Sequence, residues 1–359
     1  MSSRLIRNRI ILWSIILIIS IIAFTVFSIN SKKLKNKALN SAFYGGIFES
    51  NIMGNSFEKI DRSKFIVIKE QVINDNISDI TIDWISGYVT VHKSENDEIK
   101  IVQKALDIFP KEELFSYSVN RGKLNIKDER QDKPKKGITI INEKQTDLEV
   151  YIPEKEYNSI NINGVSSDIT AENLKAKKVI FNTISGDINF SGIFSNINLT
   201  SVSGDIKSDN LRADKLSINT TSGDMNLSGE FTDVDIITIS GDVKSSSLNA
   251  EKASLSSTSG DISISGKLTE LDINTVSGNV EVHSSNMLKR IDSHSVSGDV
   301  TITIPENDGF TVNINKSSDR LKSDFALTKN EDNKYVYRNG TAKFTVSTVN
   351  GYFKINEGK

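Results

Sequence analysis

The chain has 359 residues, with 44 Lys and Arg against 46 Asp and Glu, a formal charge of −2. That length accommodates two average domains or one long β domain, and 37% hydrophobic residues suffice for a core. The absence of cysteine excludes a disulfide framework, a thiolate zinc site, a cysteine nucleophile and a lipid-modified cysteine. With 4 Pro and 21 Gly the chain is neither collagen-like nor proline-rich. Its balanced charge argues against a general nucleic-acid binder.

That balance is a sum over unlike segments. Every charge before Glu49 is positive: Arg4, Arg7, Arg9, Lys32, Lys33, Lys35 and Lys37. Without those seven, 37 basic residues face 46 acidic ones, so the rest carries −9. Between the two basic clusters, residues 10–29 hold no charge and are interrupted only by Ser14, Ser20, Thr25 and Ser28. Twenty residues at 1.5 Å rise span about 30 Å, the thickness of a hydrocarbon core. The expected order is a short basic tail (1–9), a transmembrane helix (10–29) and a linker (30–60). A cleaved signal peptide is the rival; Val26-Phe27-Ser28 is its weak cleavage site, and an uncleaved anchor is favoured. Basic residues flank both ends of the helix, so charge alone sets no orientation. The body is placed outside the cytoplasm because a cysteine-free, Ser/Thr/Asn-rich β body suits an envelope surface. Lys32–Lys37 are expected beside the headgroups.

Residues 61–163 are expected to form an N-terminal β region and cap. Strand-like runs occur at Phe65–Lys69, Asp79–Trp84, Tyr88–His92, Glu98–Lys104, Lys123–Lys127 and Asp147–Ile152. Ile85-Ser86-Gly87-Tyr88 looks like a diverged corner, and Gln131–Gly137 is a charged loop.

From 164 to 304 a repeat dominates. Ser-Gly-Asp begins at Ser185, Ser203, Ser222, Ser240, Ser259 and Ser297, with Ser-Gly-Asn at Ser277 and a degenerate copy at Ser166. Successive copies lie 18 to 20 residues apart, mostly alternating 19 and 18. Six and four residues before each serine the chain is almost always apolar; two before, it is always a hydroxyl (Thr183, Ser201, Thr220, Thr238, Ser257, Thr275, Ser295); three after, always apolar. A period of two marks strands with one inward face. The corner is read as Gly supplying φ > 0, at Gly186, Gly204, Gly223, Gly241, Gly260, Gly278 and Gly298. Ser and Asp are read as capping their own turn. Returns alternate between short ones such as Ser228-Gly229-Glu230-Phe231 and longer charged ones such as Leu248-Asn249-Ala250-Glu251-Lys252, so a pair of units, 37 residues, is the fuller period.

Two architectures fit: an antiparallel meander, or a β-solenoid in which each unit is one rung. Repetition of the same chemistry at only one end favours the all-β solenoid, because identical corners stack in register. Residues 305–359 then form a C-terminal β cap, with runs at Phe310–Asn315, Lys334–Arg338 and Ala342–Thr348 and a last degenerate corner at Val349-Asn350-Gly351-Tyr352.

Ile-Ser-Gly-Asp-Ile and Val-Ser-Gly-Asp-Val corners at this period, behind an N-terminal anchor, resemble the bacterial adhesin-like β-strand repeat family. That family is a domain of unknown function that includes membrane-anchored envelope proteins of Gram-positive bacteria. The likeness covers roughly 60–356 and is most specific over 160–304. It implies a solenoid-like fold and transfers no catalytic residues.

Chemistry is sparse. The aspartate column Asp187, Asp205, Asp224, Asp242, Asp261 and Asp299 offers a calcium ladder. One carboxylate per rung supplies few ligands, so turn capping is preferred. No catalytic, cofactor or metal residues are expected. His92, His283 and His294 fit solvated strand positions, and Trp84 fits the cap core. The sequence holds no nucleophile elbow, zincin, P-loop or dinucleotide fingerprint. The expectation is a single-pass cell-membrane protein whose non-catalytic ectodomain binds or scaffolds an envelope protein or glycan. Its candidate surface is the outward column Ile184, Val202, Thr221, Ile239, Thr258, Val276 and Val296. The alternatives are an accessory or sensor protein of envelope-stress regulation and a β-helical glycan-active enzyme.

Overall fold

A computed structural model describes residues 61–132, 145–315, 320–330 and 334–358. The expected tail, membrane helix and linker lie outside the described residues, as does most of the charged loop. Among the described residues no helix is long and apolar enough to cross a membrane. Helix there amounts to short 3₁₀ turns such as Arg62–Lys64, Lys111–Glu113 and Glu129–Asp132.

The remainder is nearly all strand. β1 (Ile66–Ile73), β2 (Asp79–Lys93), β3 (Ile99–Ala105), β4 (Ser116–Asn120), β5 (Lys123–Lys127) and β6 (Thr146–Ile152) come first. The repeats form β7 (Tyr157–Thr183), β8 (Ile188–Ser201), β9 (Ile206–Thr220), β10 (Met225–Thr238) and β11 (Val243–Ser257). They continue as β12 (Ile262–Gly266), β13 (Leu268–Thr275), β14 (Val280–Ser284), β15 (Arg290–Ser295) and β16 (Val300–Pro305). The C-terminal strands are β17 (Gly309–Asn315), β18 (Leu321–Ser323), β19 (Thr328–Lys329), β20 (Tyr335–Arg338), β21 (Ala342–Thr348) and β22 (Phe353–Gly358). Most runs expected from sequence are strands; β4 was not foreseen, because Ser116–Asn120 is short and carries only two apolar residues, Tyr117 and Val119.

Pairing decides between the two architectures. Ile169 pairs with Ile188, Ile188 with Ile206, Ile206 with Met225, Met225 with Val243 and Val243 with Ile262, all in parallel. A meander would make these pairs antiparallel, so it is excluded, and the body is solenoid-like. The columns six and four before the serine, and three after it, line the interior: Ile197, Leu199 and Ile206 are buried, as are Leu216, Ile218 and Met225.

The 19/18 alternation has a packing cause. Ala171 faces Phe190, and two residues later the register slips, so that Leu174 faces Gly192. The 19-residue rungs thus carry one extra residue as a bulge. Bulged rungs place a small residue, a leucine and an alanine inward: Ala171, Leu174 and Ala176; Ser208, Leu211 and Ala213; Ser245, Leu248 and Ala250. Short rungs place a large residue, a glycine and a large residue at the same level: Phe190, Gly192 and Phe194; Leu227, Gly229 and Phe231; Ile264, Gly266 and Leu268. Large stacks on small from β7 to β13, the complementary filling that a thin interior needs.

The order of rungs in space departs from chain order at both ends. β2 pairs in parallel with β7 on one side (Ile80 with Ile160) and with β5 and β6 on the other (Ile80 with Leu124, Val89 with Leu148). The last rung, β21 and β22, lies directly on β15 and β16 (Ile291 with Phe344, Ile302 with Ile355). The earlier strands β17 and β18 then cover it (Val312 with Phe344, Leu321 with Phe353). Beyond these rungs the pairing turns antiparallel: β4 on β5, and β3 on β6 with β1 on β3, at one end, β20 on β17 and β19 on β20 at the other. Phe310, Phe325, Phe344 and Tyr337 seal the C-terminal cap with ring centroids 4.9 to 5.5 Å apart. Such ends protect the stack's open hydrogen-bonding edges.

The corner glycines correct the sequence reading. None of Gly186, Gly204, Gly223, Gly241, Gly260, Gly278 or Gly298 has φ in the left-handed region; the return glycines Gly192, Gly229 and Gly266 do. The corner needs glycine because a Cβ on Gly241 would lie 2.0 Å from the carbonyl oxygen of Gly223 on the preceding rung. Gly241→Ala is expected to destabilise by about 3 kcal/mol, within the range of overpacked buried sites. Gly358→Ala, whose Cβ meets nothing closer than 3.4 Å, should stay within about 0.5 kcal/mol. Urea melts of the two variants measure the difference.

Candidate functional site: the Ser-Gly-Asp edge

Each corner residue is bound to the rung before it. The Ser240 amide donates to the Thr221 carbonyl at 2.9 Å, and its hydroxyl donates to the same oxygen at 3.2 Å. Ser203, Ser222, Ser259, Ser277 and Ser297 repeat this pattern. The buried hydroxyl two residues earlier holds the glycine from inside: the Gly241 amide donates to Thr238 Oγ1 at 3.0 Å. Thr275 Oγ1 donates to the Gly278 carbonyl at 2.8 Å. An invariant hydroxyl column is therefore a satisfied internal polar row, as burial requires.

The aspartates act between rungs, not within their own turn, which corrects the second part of the corner reading. Asp168 Oδ1 accepts the Asp187 amide at 2.9 Å, Asp187 accepts Asp205, Asp205 accepts Asp224, Asp224 accepts Asp242 and Asp242 accepts Asp261. Asp261 then accepts the amide of Asn279 at 2.7 Å, and Asn279 Oδ1 accepts that of Asp299 at 3.1 Å. The asparagine holds its place in the row, so the role asks for a carbonyl-type oxygen and not for charge. Each N–H dipole also offsets the repulsion between carboxylates one rung, about 4.8 Å, apart.

Both ends of the row are closed by different chemistry. At the first corner Gly87 pairs with Ser167, and no aspartate is present. A fully buried side chain, Asp128, lies beside this corner and binds its approach: its Oδ2 takes the amide of Ile85, three residues before Tyr88, at 3.1 Å. Arg130 Nε lies 2.8 Å from Asp128 Oδ1, and its Nη1 donates to Ser86 Oγ at 3.1 Å. A buried carboxylate so placed is tolerable only with that guanidinium beside it. At the other end Asp299 accepts the Tyr352 amide at 2.9 Å and pairs with Lys354 Nζ at 2.8 Å. Burial alone raises the Asp299 carboxyl, but the bonds from Lys354 and the Tyr352 amide bring it below its usual value.

The outward column beside the serines is half-exposed, with Val202 and, in the last corner, Val349 the most open at 36% and 46%. His283 lies 3.0 Å from Glu281, and His294 3.1 Å from Asp292, on exposed strand faces. His92 stacks on Tyr151 at 4.8 Å. Trp84 is fully buried and offers no stacking platform. One non-repeating carboxylate cluster was missed by the sequence reading. Asp272 and Asp292 share a register on β13 and β15, flanked by Glu270, Arg290 and His294. Burial, then Asp292, raises the Asp272 carboxyl. The signal was three acids in one column five residues before the serine (Asp235, Asp272 and Asp292), which the corner motif overshadowed. Among the described residues no group of three or more His, Asp or Glu is arranged to hold a metal.

The profile of one family, Toastrack DUF4097, matches residues 77–236 and 230–356. Among solved structures, one named "putative lipid binding protein" from Parabacteroides distasonis is 16% identical, covering 81% of this chain and 96% of its own, at a TM-score of 0.42. One named "putative adhesin" from Parabacteroides merdae is 12% identical over 82% and 97%, also at 0.42. Another of that name from Parabacteroides distasonis is 13% identical over 81% and 96%, at 0.41. No curated protein matches.

Two outcomes are expected at the edge. Asp242→Asn should keep stability within about 0.5 kcal/mol, whereas Asp242→Ala should cost about 1 kcal/mol for an orphaned amide. A melt with and without EGTA should give one curve. Loss on Asp242→Asn that equals the alanine loss would show that charge, and a cation, matter. At the end of the row, Lys354→Met should cost about 0.5 kcal/mol at neutral pH, since the pair is a third exposed. A lowered folded pKa stabilises above the unfolded pKa and is lost as pH falls through the folded one. The gap between wild type and Lys354→Met should therefore close in acid, read from urea midpoints between pH 7 and pH 3.

Proposed function

This chain belongs to the Toastrack DUF4097 family, and from that premise we propose that it is a membrane-anchored envelope protein whose β-repeat body binds or scaffolds without catalysis. One observation carries the reading: every corner aspartate from Asp168 to Asp299 spends an oxygen on the next rung's amide. The acidic row is thereby a device of the scaffold, and function falls to the exposed side chains that the scaffold repeats. Residues 10–29 anchor the body, which lies outside the cytoplasm. Its partner is an envelope protein or glycan, and nucleic acid is no partner. The half-exposed β-branched column and the polar strand faces are the surfaces offered.

A second reading is favoured by one observation, the Asp272, Asp292 and His294 group. Carboxylates on adjacent rungs are what a β-helical glycan-active enzyme requires. Asp272 and Asp292 are half-buried on a strand face, where Asn274 and Arg290 engage them. A role as sensor in envelope-stress regulation uses the same binding body.

Protease added to intact cells is expected to degrade the body, and the tagged full-length chain to retain a partner from envelope fractions. Protection of the body until lysis would reverse the orientation. Release of reducing sugar from envelope glycan, abolished by Asp292→Asn, would replace binding by catalysis.

A further inference from the structure

The alternation of bulged and short rungs shapes the surface as well as the interior. A short rung between two bulged ones is recessed, because its neighbours each push out one extra residue. β8 is the first short rung. On either side of it Asn173 and Asn210 stand in left-handed backbone, at φ 57° and 54°. The recess is an open groove of about 660 Å³ across β7, β8 and β9, within the range of small-ligand sites.

β10 is the second short rung, and there the outward row is charged. Register aligns Lys175, Ile193, Arg212, Glu230 and Asn249 in one row across the rungs. On β10 the row carries Glu230, whose Oε2 lies 2.7 Å from Nη2 of Arg212 on the adjacent rung β9. At β8 the equivalent of Glu230 is Ile193, an uncharged side chain that offers Arg212 no ion-pair partner on that side. Lys175 pairs instead with Glu154 at 2.9 Å, whose carboxyl the Lys93 and Lys175 hydrogen bonds pull down to about 2. Ile193 is left 50% exposed, an aliphatic side chain where the later short rungs carry Glu230 and Lys267. Around it the side-chain amides of Asn173, Asn189 and Asn210 line the groove, with no hydrogen bond to any described residue.

We infer that this groove binds a short, extended peptide segment through one apolar side chain and its backbone amides. The apolar side chain covers Ile193, and the three asparagine amides donate to and accept from its peptide bonds. Each amide offers both a donor and an acceptor, as a peptide unit does. The charged rim is mixed, with Glu172 and Asp209 against Lys207, so an anionic polymer is not selected. A saccharide would pack its C–H face on an exposed ring, and Phe190, which lines the groove, is 3% exposed. The assignment rests on the reading of the body as a binding module and gives that reading a ligand class and a place.

The test uses the full-length chain in detergent and a phage-displayed library of linear random heptapeptides. Selected peptides, synthesised with a fluorophore, are titrated by polarisation. They are expected to share one aliphatic or aromatic position. Ile193→Glu installs the residue that β10 carries in the same register, so its melting temperature should be unchanged while affinity falls about tenfold or more. Asn189→Ala should weaken binding several-fold with the fold intact. Failure to select any peptide, or equal affinity of the selected peptides for Ile193→Glu, overturns the proposal. Binding of chitotetraose that Ile193→Glu abolishes would overturn it in favour of a glycan. If envelope partners are still retained by Ile193→Glu, the binding body stands and the groove assignment falls.

Discussion

The structure depends on a backbone contact at the corner. Each corner glycine lies where a Cβ would sit about 2 Å from a backbone carbonyl oxygen of the preceding rung, that of Ser167 for Gly186 and that of a glycine from Gly204 onward. Everything else at the edge follows from that approach. With main chain on main chain, the serine amide and hydroxyl reach one carbonyl, the inner hydroxyl reaches the glycine, and the aspartate reaches the following amide. Side-chain bulk at that point would separate the rungs and break all of these bonds together. The repeat is regular because one geometric tolerance is imposed at every level.

Stacking of identical units leaves two problems, a charged column and two raw ends. The column is managed by giving each carboxylate an amide donor, and Asn279 shows that the acceptor, not the charge, is what the position requires. The ends are managed by topology. At each end one rung is placed out of chain order: β2 lies between β7 and the later strands β5 and β6, and β21 lies between β15 and the earlier strand β17. Antiparallel strands lie outside them, Asp128 with Arg130 binds beside the first corner, and Tyr352 with Lys354 engages the last corner aspartate. Parallel growth of the stack stops where the pairing changes sense.

Function enters where the repeat is broken. The regular rows are occupied by the scaffold's own bonds, so the positions with chemistry to spare are departures from the column: Ile193 among charged equivalents on the short rungs, and His294 where earlier rungs carry Asn182, Asn219 and Asn274, beside the adjacent acids Asp272 and Asp292. Both lie on strands whose course is set by the corner and the bulge. A repeat body can alter such positions singly without disturbing the stack, since each side chain outside touches only its neighbours above and below.

Residue order alone determined the strand period, the inward columns, the corner positions and the alternation of 19 and 18, because period-2 patterning and a repeated tripeptide are local and linear. It also located the early corner at Ser86-Gly87 and the last at Asn350-Gly351. What it assigned wrongly were two reasons. Glycine at the corner was attributed to its own φ, and aspartate to its own turn, because a linear reading sees only neighbours along the chain. The true neighbours are one rung away, 18 or 19 residues distant, and only the stacked structure brings them within 3 Å. For the same reason the exchange of rung order at both ends, the large-on-small filling of the interior and the open recess at Ile193 were decided by tertiary packing: each depends on which rung lies against which.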